Sequence, residues 1–497
     1  MAEYFIAYED AVHDLLAAAA YIGERIKSGD GRASAMTAIV PRYLSRNNVD
    51  LAAELANTVD DPFTRDKLLT ETAEKCAEID DDEYALQLAE SVEEFGLQQQ
   101  ALERIALEKI RKGQVEKAFE TAECIHHPDY VYAAAAVHAS ANGKPEEAKG
   151  FLDKTEFASA KVSALQAMAM SEFAGGNKQA GVDLLNDAQA TAAEIEHNEE
   201  RIRTFCEIGN HFVEAGRNDL AIKAYDTARG EAEQLDNVHR DAFIAAAVMG
   251  FLHAGSMDTA DRTLDLISDK TQMSNCLLAF SKYLWERGEK DEAIDALDES
   301  YQILRSQKET ETRDSKSRFA LLGSIAVQNA EFEKAERAIE IASSIEDNDH
   351  RTSALTQLSA VFTLRREDEY ARRALNEISD DSERAYALIS MSDAEEQLSE
   401  RVPANQLLEE AFHLIDEVPQ LTARSMAYNE IARRFLERGE TQQAAEIFTV
   451  SLRTVGDIRD ESTRAINLAS LSDLLVGGGI ELTDEQQQMV ENLLSRK

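Results

Sequence analysis

The 497-residue chain predicts an all-α fold, a solenoid of stacked antiparallel helix pairs. Three observations carry that prediction. Apolar residues recur at helical spacing, as in Tyr428 and Ile431, which share a face with small Ala432. A turn residue such as Gly439 then interrupts the pattern, and Ala444 and Phe448 begin a second apolar stripe. The same skeleton returns along nearly the whole chain.

With Arg424 set as offset zero, matching positions fall at Arg32, Arg65, Gln98, Pro128, Lys161, Arg201, Arg240, Met273, Ser315, Arg351 and Arg384. Offset four is bulky and apolar in each, for example Met36, Leu69, Phe205, Ile244 and Leu388. Offset eight is small nearly everywhere, as at Ala73, Ala136, Gly209 and Ser392. Offset twenty is alanine, as at Ala52, Ala221, Ala293 and Ala444, except for Gly181. Glycine takes offset fifteen at Gly113, Gly143, Gly176, Gly216, Gly255, Gly288 and Gly439. Small residues at eight and twenty let two helix axes approach, and the bulky residue at four fills the space between them.

Taken in order, residues 1–31 read as an N-terminal capping helix over Glu3–Lys27. Ala11, Leu15 and Ala18 occupy offsets twenty, twenty-four and twenty-seven, so it is a second helix without a first. Residues 32–463 hold twelve repeats. Those starting at Lys161 and Arg201 gain about two turns in their second helices, where small Ala188 and Ala228 extend the packing stripe. The segment SQKETETRDSKSR after the eighth repeat is polar throughout and reads as the most mobile junction. Residues 464–497 read as a C-terminal capping helix pair. Leu468, Leu471 and Ser472 mark its first helix, and Thr483 with Gln486 caps the second, where Asp484 replaces the alanine of offset twenty.

This pattern resembles the tetratricopeptide repeat, which has bulky residues at four and seven, small residues at eight, glycine at fifteen and alanine at twenty. The resemblance spans residues 32–463. It departs from the family in lacking tryptophan at offset four and a regular late proline, and in its uneven repeat length. It implies a right-handed superhelix whose first helices line a concave surface near offsets two, five, nine and twelve.

The formal net charge is −42, from 52 basic and 94 acidic residues. Such a balance argues against a nucleic-acid backbone or an anionic membrane as partner. It leaves a solubilising acidic coat, a basic partner, or adaptation to high salt, and arginine outnumbers lysine. Cys76, Cys124, Cys206 and Cys276 are scattered over different repeats, which fits buried free thiols in a reducing compartment. There is no transmembrane run, and the acidic start MAEYFIAYED lacks the positive charge of a signal peptide. The chain therefore reads as cytoplasmic.

Chemistry is sparse. Cys124, His126, His127 and His138 have metal-ligand side chains, but they spread over a helix end, a turn and the next helix. The glycines at 477–479 lack the strand and lysine of a phosphate loop. No cofactor, metal site or catalytic constellation is expected. Recurrent arginine at offset zero follows acidic turns, as in DDPFTR and SDDSER, and reads as a ladder joining one repeat to the next.

Function then rests on the groove that the resemblance implies. Its central positions are Tyr130, Val137, Met170, Phe173, Met249, Leu252, Leu278 and Trp285, apolar for so charged a chain. They predict a non-catalytic scaffold for an unknown protein or peptide partner. A tightly wound stack that buries them against its own repeats is the competing reading. A structural subunit that self-associates through solenoid edges or ends is the alternative function. The charge balance makes a prediction of its own: screening of self-repulsion should raise the melting temperature as KCl is added. A plateau by about 0.1–0.2 M would mark an ordinary acidic surface, a continued climb into molar salt an adapted one, and no response would contradict the repulsion.

Overall fold

The computed structural model of the protein describes residues 4–306, 315–478 and 481–495. Within them the chain is all helical. In chain order the helices are α1 (Tyr8–His13), α2 (Leu15–Gly23), α3 (Gly29–Ser45), α4 (Val49–Ala56), α5 (Pro62–Glu78), α6 (Asp82–Ser91), α7 (Phe95–Arg111), α8 (Val115–Ala122), α9 (Asp129–Ala141) and α10 (Pro145–Leu152). They continue as α11 (Ala158–Ala174), α12 (Lys178–Ala192), α13 (Asn198–Glu214), α14 (Asn218–Ala232), α15 (Arg240–His253), α16 (Met257–Leu264), α17 (Lys270–Glu286), α18 (Lys290–Ser306) and α19 (Ser315–Glu331). The last are α20 (Ala335–Ser343), α21 (Asn348–Leu364), α22 (Asp368–Asn376), α23 (Asp381–Gln397), α24 (Arg401–Asp416), α25 (Leu421–Glu437), α26 (Thr441–Asp457), α27 (Glu461–Gly478) and α28 (Asp484–Leu494). From α3 onward, odd numbers are first helices and even numbers second helices, up to α26.

Each first helix ends on one residue in the left-handed region. Seven are the glycines at offset fifteen, with φ of 70–83°, and five are Asn47, Asp80, Glu333, Arg366 and Ser399, with φ of 57–68°. The next N–H donates back to the carbonyl five residues earlier, as Arg217 does to Phe212 at 2.7 Å and Glu440 to Phe435 at 2.8 Å. A side chain at such a φ costs roughly 1–2 kcal/mol, so the turn is enforced by the packing of its two helices. Glu333 also corrects the register of the ninth repeat. Its zero position is Arg318, three residues beyond Ser315, which puts Leu322, Ala326 and Ala338 at offsets four, eight and twenty, all buried. Much of the polar junction before it, 307–314, lies outside the described residues.

Alanines 52, 85, 118, 221, 260, 293 and 404 are fully buried, as the close approach at offset twenty requires. The extended second helices α12 and α14 carry the stripe onward, with Ala188, Ala192, Ala228 and Ala232 also fully buried. Tyr225, at offset twenty-four, is sealed between two glycines. A Cβ at Gly209 or Gly250 would stand 2.4 Å from its ring, and its hydroxyl donates to Asn210 Oδ1 at 2.7 Å.

Two polar staples join neighbouring repeats. Arg32, Arg201, Arg351 and Arg464 each donate to the carbonyl six residues earlier, at Ile26, Ile195, Ile345 and Ile458, whose side chains are buried. At these four repeats the arginine ladder is a carbonyl clamp, whereas Arg65, Arg384 and Arg424 bind the carboxylates of Asp66, Asp381 and Asp416. The second staple is acidic. Asp66 accepts from the N–H groups of Glu93 and Glu94 at 2.9 and 2.8 Å, Asp129 from Glu156 and Phe157 at 2.6 and 2.8 Å, and Asp241 from Ser268 and Asp269 at 2.8 and 2.6 Å. In each case one carboxylate at offset one holds the loop that leads into the following repeat.

The helices gather into two compact units, one of residues 1–109, 120–126 and 359–497, the other of 110–119 and 127–358. The first unit contains both ends of the chain, and its N-terminus differs from the single helix expected there. Asp14 interrupts it by accepting from the N–H groups of Leu16 and Ala17 at 2.6 and 3.3 Å, which starts α2 afresh. More consequentially, α27 does not pair with α28. It packs along α2 and against α3, while α28 lies on α26, α1 and α2. The sequence offsets explain the exchange. Counted from Arg464, α28 would present Asp484, Gln488 and Glu491 at twenty, twenty-four and twenty-seven, whereas α2 presents fully buried Leu15 and Ala18 at the last two. Ser462 Oγ on Gly31 O at 2.9 Å and Arg42 on Asp473 at 2.9 Å add polar contacts across the junction. The thirteenth helix pair is therefore split between the termini.

Two substitutions test this packing by calorimetric or denaturant unfolding. Gly209→Ala should cost about 1–3 kcal/mol, because its Cβ meets a ring that cannot retreat. Asp129→Ala strands two N–H groups and should cost about 3 kcal/mol. Unchanged stability in either variant would contradict the corresponding contact.

Candidate interaction surface

In the second unit the first helices α9, α11, α13, α15 and α17 pack successively on one another, so equal offsets fall on one face. Offset five on that face is nearly closed: Ala133, Gln166, Ala245 and Leu278 are buried, and Cys206 is half-buried. Offset nine stays half-open, with Val137, Met170 and Met249 partly exposed and Asn210 and Lys282 exposed. At offset two, Tyr130 is 44% exposed.

The eight groove residues therefore divide. Leu252 and Leu278, at 2% and 6% exposure, belong to the core and cannot meet a partner; this corrects their assignment to an open trough. Phe173 is half-buried, and its ring lies 2.4 Å from where a Cβ of Gly181 would be. That contact explains the one glycine at offset twenty. Trp285 stacks on buried Phe332 of the next repeat, with ring centroids 4.1 Å apart and planes 13° from parallel, and Lys290 Nζ covers it at 4.5 Å. Its ring is committed to the contact between two repeats. Tyr130, Val137, Met170 and Met249 remain accessible.

Sequence reasoning missed Phe157, which is 42% exposed at the start of α11. His127 rests on it with centroids 4.9 Å apart, and Asp129 binds its N–H while leaving the neighbouring Tyr130 outside. The offset-one aspartate was the available signal, since it fixes the loop that presents this aromatic edge. A second group joins Phe119, Tyr132 and Phe151, edge to face at 5.3–5.4 Å, with Lys154 Nζ 5.5–5.9 Å from their centroids.

The first unit offers a charged cleft of about 400 Å³ lined by Thr363, Arg366, Arg372, Met391, Leu407 and Glu410. Its arginines are paired with glutamates: Arg366 reaches Glu395 at 2.8 Å and Glu400 at 3.1 Å, and Arg372 reaches Glu410 at 2.7 Å. Nearby, burial lowers the pKa of Arg438, whose guanidinium lies 3.3 Å from Glu396 and 3.2 Å from the Ser392 carbonyl. These pairs tie α22 and the turn before it to α23 and α24, and the end of α25 to α23.

Among the described residues no group of His, Cys, Asp and Glu could hold a metal ion. Cys124 is exposed, unlike the other thiols, while burial pushes Cys76, Cys206 and Cys276 up to about 12, away from nucleophilic chemistry. No helix among the described residues is long and apolar enough to cross a membrane.

The single tryptophan reports on its own placement. Its emission should be blue-shifted from that of indole in water, and Trp285→Ala should cost about 3 kcal/mol through the cavity left beside Phe332. Red emission together with an unchanged melting curve would free the ring for a partner.

No protein-family model matches the chain, and no curated protein matches it. Solved structures similar to it include Ton1535 from Thermococcus onnurineus NA1, at 16% identity over 71% of this chain and 97% of that one, with a TM-score of 0.26. A Rap protein complexed with competence and sporulation factor matches at 13% identity over 72% and 97%, TM-score 0.27. The APC/C hetero-tetramer Cut9–Hcn1 matches at 14% identity over 90% and 92%, TM-score 0.22. At these scores the molecules do not superpose as wholes. The repeat of this chain, with its bulky residue at four, small residues at eight and twenty and left-handed residue at fifteen, is tetratricopeptide-like.

Proposed function

We propose that the protein is a non-catalytic scaffold that binds a segment of another protein along the first-helix face of its second unit. The observation that carries this reading is the offset-nine row, Val137, Met170 and Met249, half-open above a nearly closed layer at offset five. Methionine adapts its shape to different apolar side chains, which suits a surface for a peptide. Asn210 stands in the same row as a polar contact, and Tyr130 and Phe157 supply aromatic anchors at its edge.

The partner is basic as well as apolar. A chain of net charge −42 attracts cationic segments over several ångströms and repels acidic ones. This is also the ground on which a nucleic-acid backbone or an anionic membrane is a poor partner.

A pull-down from native lysate, with captured proteins identified and their affinities measured, tests the proposal. The pair Tyr130→Ala and Met170→Ala should weaken the captured partner by about 2 kcal/mol or more, with the circular dichroism and melting temperature largely kept. Capture of the same partners with undiminished affinity would reject this face as the binding surface.

A further inference from the structure

The split thirteenth pair leaves a feature that the scaffold reading does not use. A helix from one end of the chain fills a groove built by helices α27 and α3, and its tie to the rest of the chain is short. Residues 24–28 connect α2 to α3, with Ser28 in extended backbone at φ −74° and ψ 125°. Arg32 holds the Ile26 carbonyl at 2.8 Å and so fixes the far side of this connection. On the near side Glu24 is buried and accepts from Phe5 N at 2.8 Å, which binds the segment 4–23 to itself as one piece. Among the described residues the one ion pair from that piece to the end of α3 joins Arg46 with half-exposed Asp14, a surface contact of small worth.

The groove is filled by side chains. Leu15, Ala18 and Ala19 are fully buried, and on the receiving helix so are Leu468, Ala469 and Leu471, with Ser472 nearly so. Such a seat recognises a helix by its small and bulky pattern, and every copy of this chain carries the same helix.

We infer that α1 and α2 form an exchangeable latch, and that the groove on α27 and α3 accepts the latch of a second copy of this chain. Reciprocal exchange fills both grooves and leaves neither latch free, so it closes as a two-fold dimer and does not propagate. In the single chain the latch is favoured by its tether, which keeps it at high effective concentration. A dimer therefore forms when the two chains are prevented from closing on themselves.

Complementary full-length variants test this. Ala18→Asp spoils the latch and leaves the groove intact; Leu468→Asp spoils the groove and leaves the latch intact. Each alone should scatter light as a single chain of 55.1 kDa, and the α2 amides of each should lose hydrogen-exchange protection relative to the parent protein. Their equimolar mixture should run at twice the chain mass, with protection restored in the α2 peptide of the Leu468→Asp partner only, which differs in mass from that of the Ala18→Asp partner. If Leu468→Asp fails to fold, Ser472→Leu, which only overfills the seat, takes its place. A mixture that keeps the single-chain mass while α2 stays unprotected in both variants would overturn the inference. Full protection of α2 in Ala18→Asp alone would overturn it too, since the latch would then not depend on this groove.

Discussion

Close approach of helix backbones is the constraint on which this molecule depends. Alanine at offset twenty is fully buried in most repeats, and its opposite number at offset eight is alanine, glycine or serine except at Val40 and Val248. A helix pair held that tightly leaves one bulky side chain per repeat to fill the interior, and its position is not negotiable. Tyr225 between Gly209 and Gly250 shows the limit of the rule: a large ring enters only where two neighbours give up their Cβ atoms. Phe173 over Gly181 is the same exchange at another repeat.

The polar groups follow from the packing. Helices this close end abruptly, so their loops carry N–H and carbonyl groups that must be satisfied within a few residues. The left-handed residue at offset fifteen settles one end of the first helix, even where it is Arg366 or Glu333 and the conformation opposes it. In four repeats arginine at offset zero takes a loop carbonyl behind it, and in three aspartate at offset one takes two loop N–H groups ahead of it. An acidic chain thus spends some of its charges on binding repeats together, and the rest remain to repel or attract what approaches.

Much of this was legible in the sequence, because periodicity reports packing directly. The pairs, their turns and the burial of offsets eight and twenty could be read from spacing. Repeat nine was misread by one helical turn, since Phe319, Gly323 and Ala335 imitate the pattern that Leu322, Ala326 and Ala338 obey, and only the φ of Glu333 separates them. The candidate surface was less legible. Whether Leu252 or Met249 faces outward depends on how closely successive first helices wind, a property of pairs of repeats that no single repeat encodes. The joining of the ends was half visible: α2 was readable as a second helix without a first, and Asp484 as a poor occupant of an alanine position, but their common cause is the packing of α2 on α27, from opposite ends of the sequence, and so needed the fold.

That junction is also where the packing rule can be tested most directly, because it acts without chain connectivity. Leu15→Asp in the full-length protein removes the offset twenty-four side chain from α2, and hydrogen exchange can then be followed helix by helix. The rule predicts that amides of α27, across the junction, lose protection together with those of α2, while α15 in the other unit keeps its own. Unchanged protection in α27 would mean that the two ends do not form a helix pair, and would contradict the account.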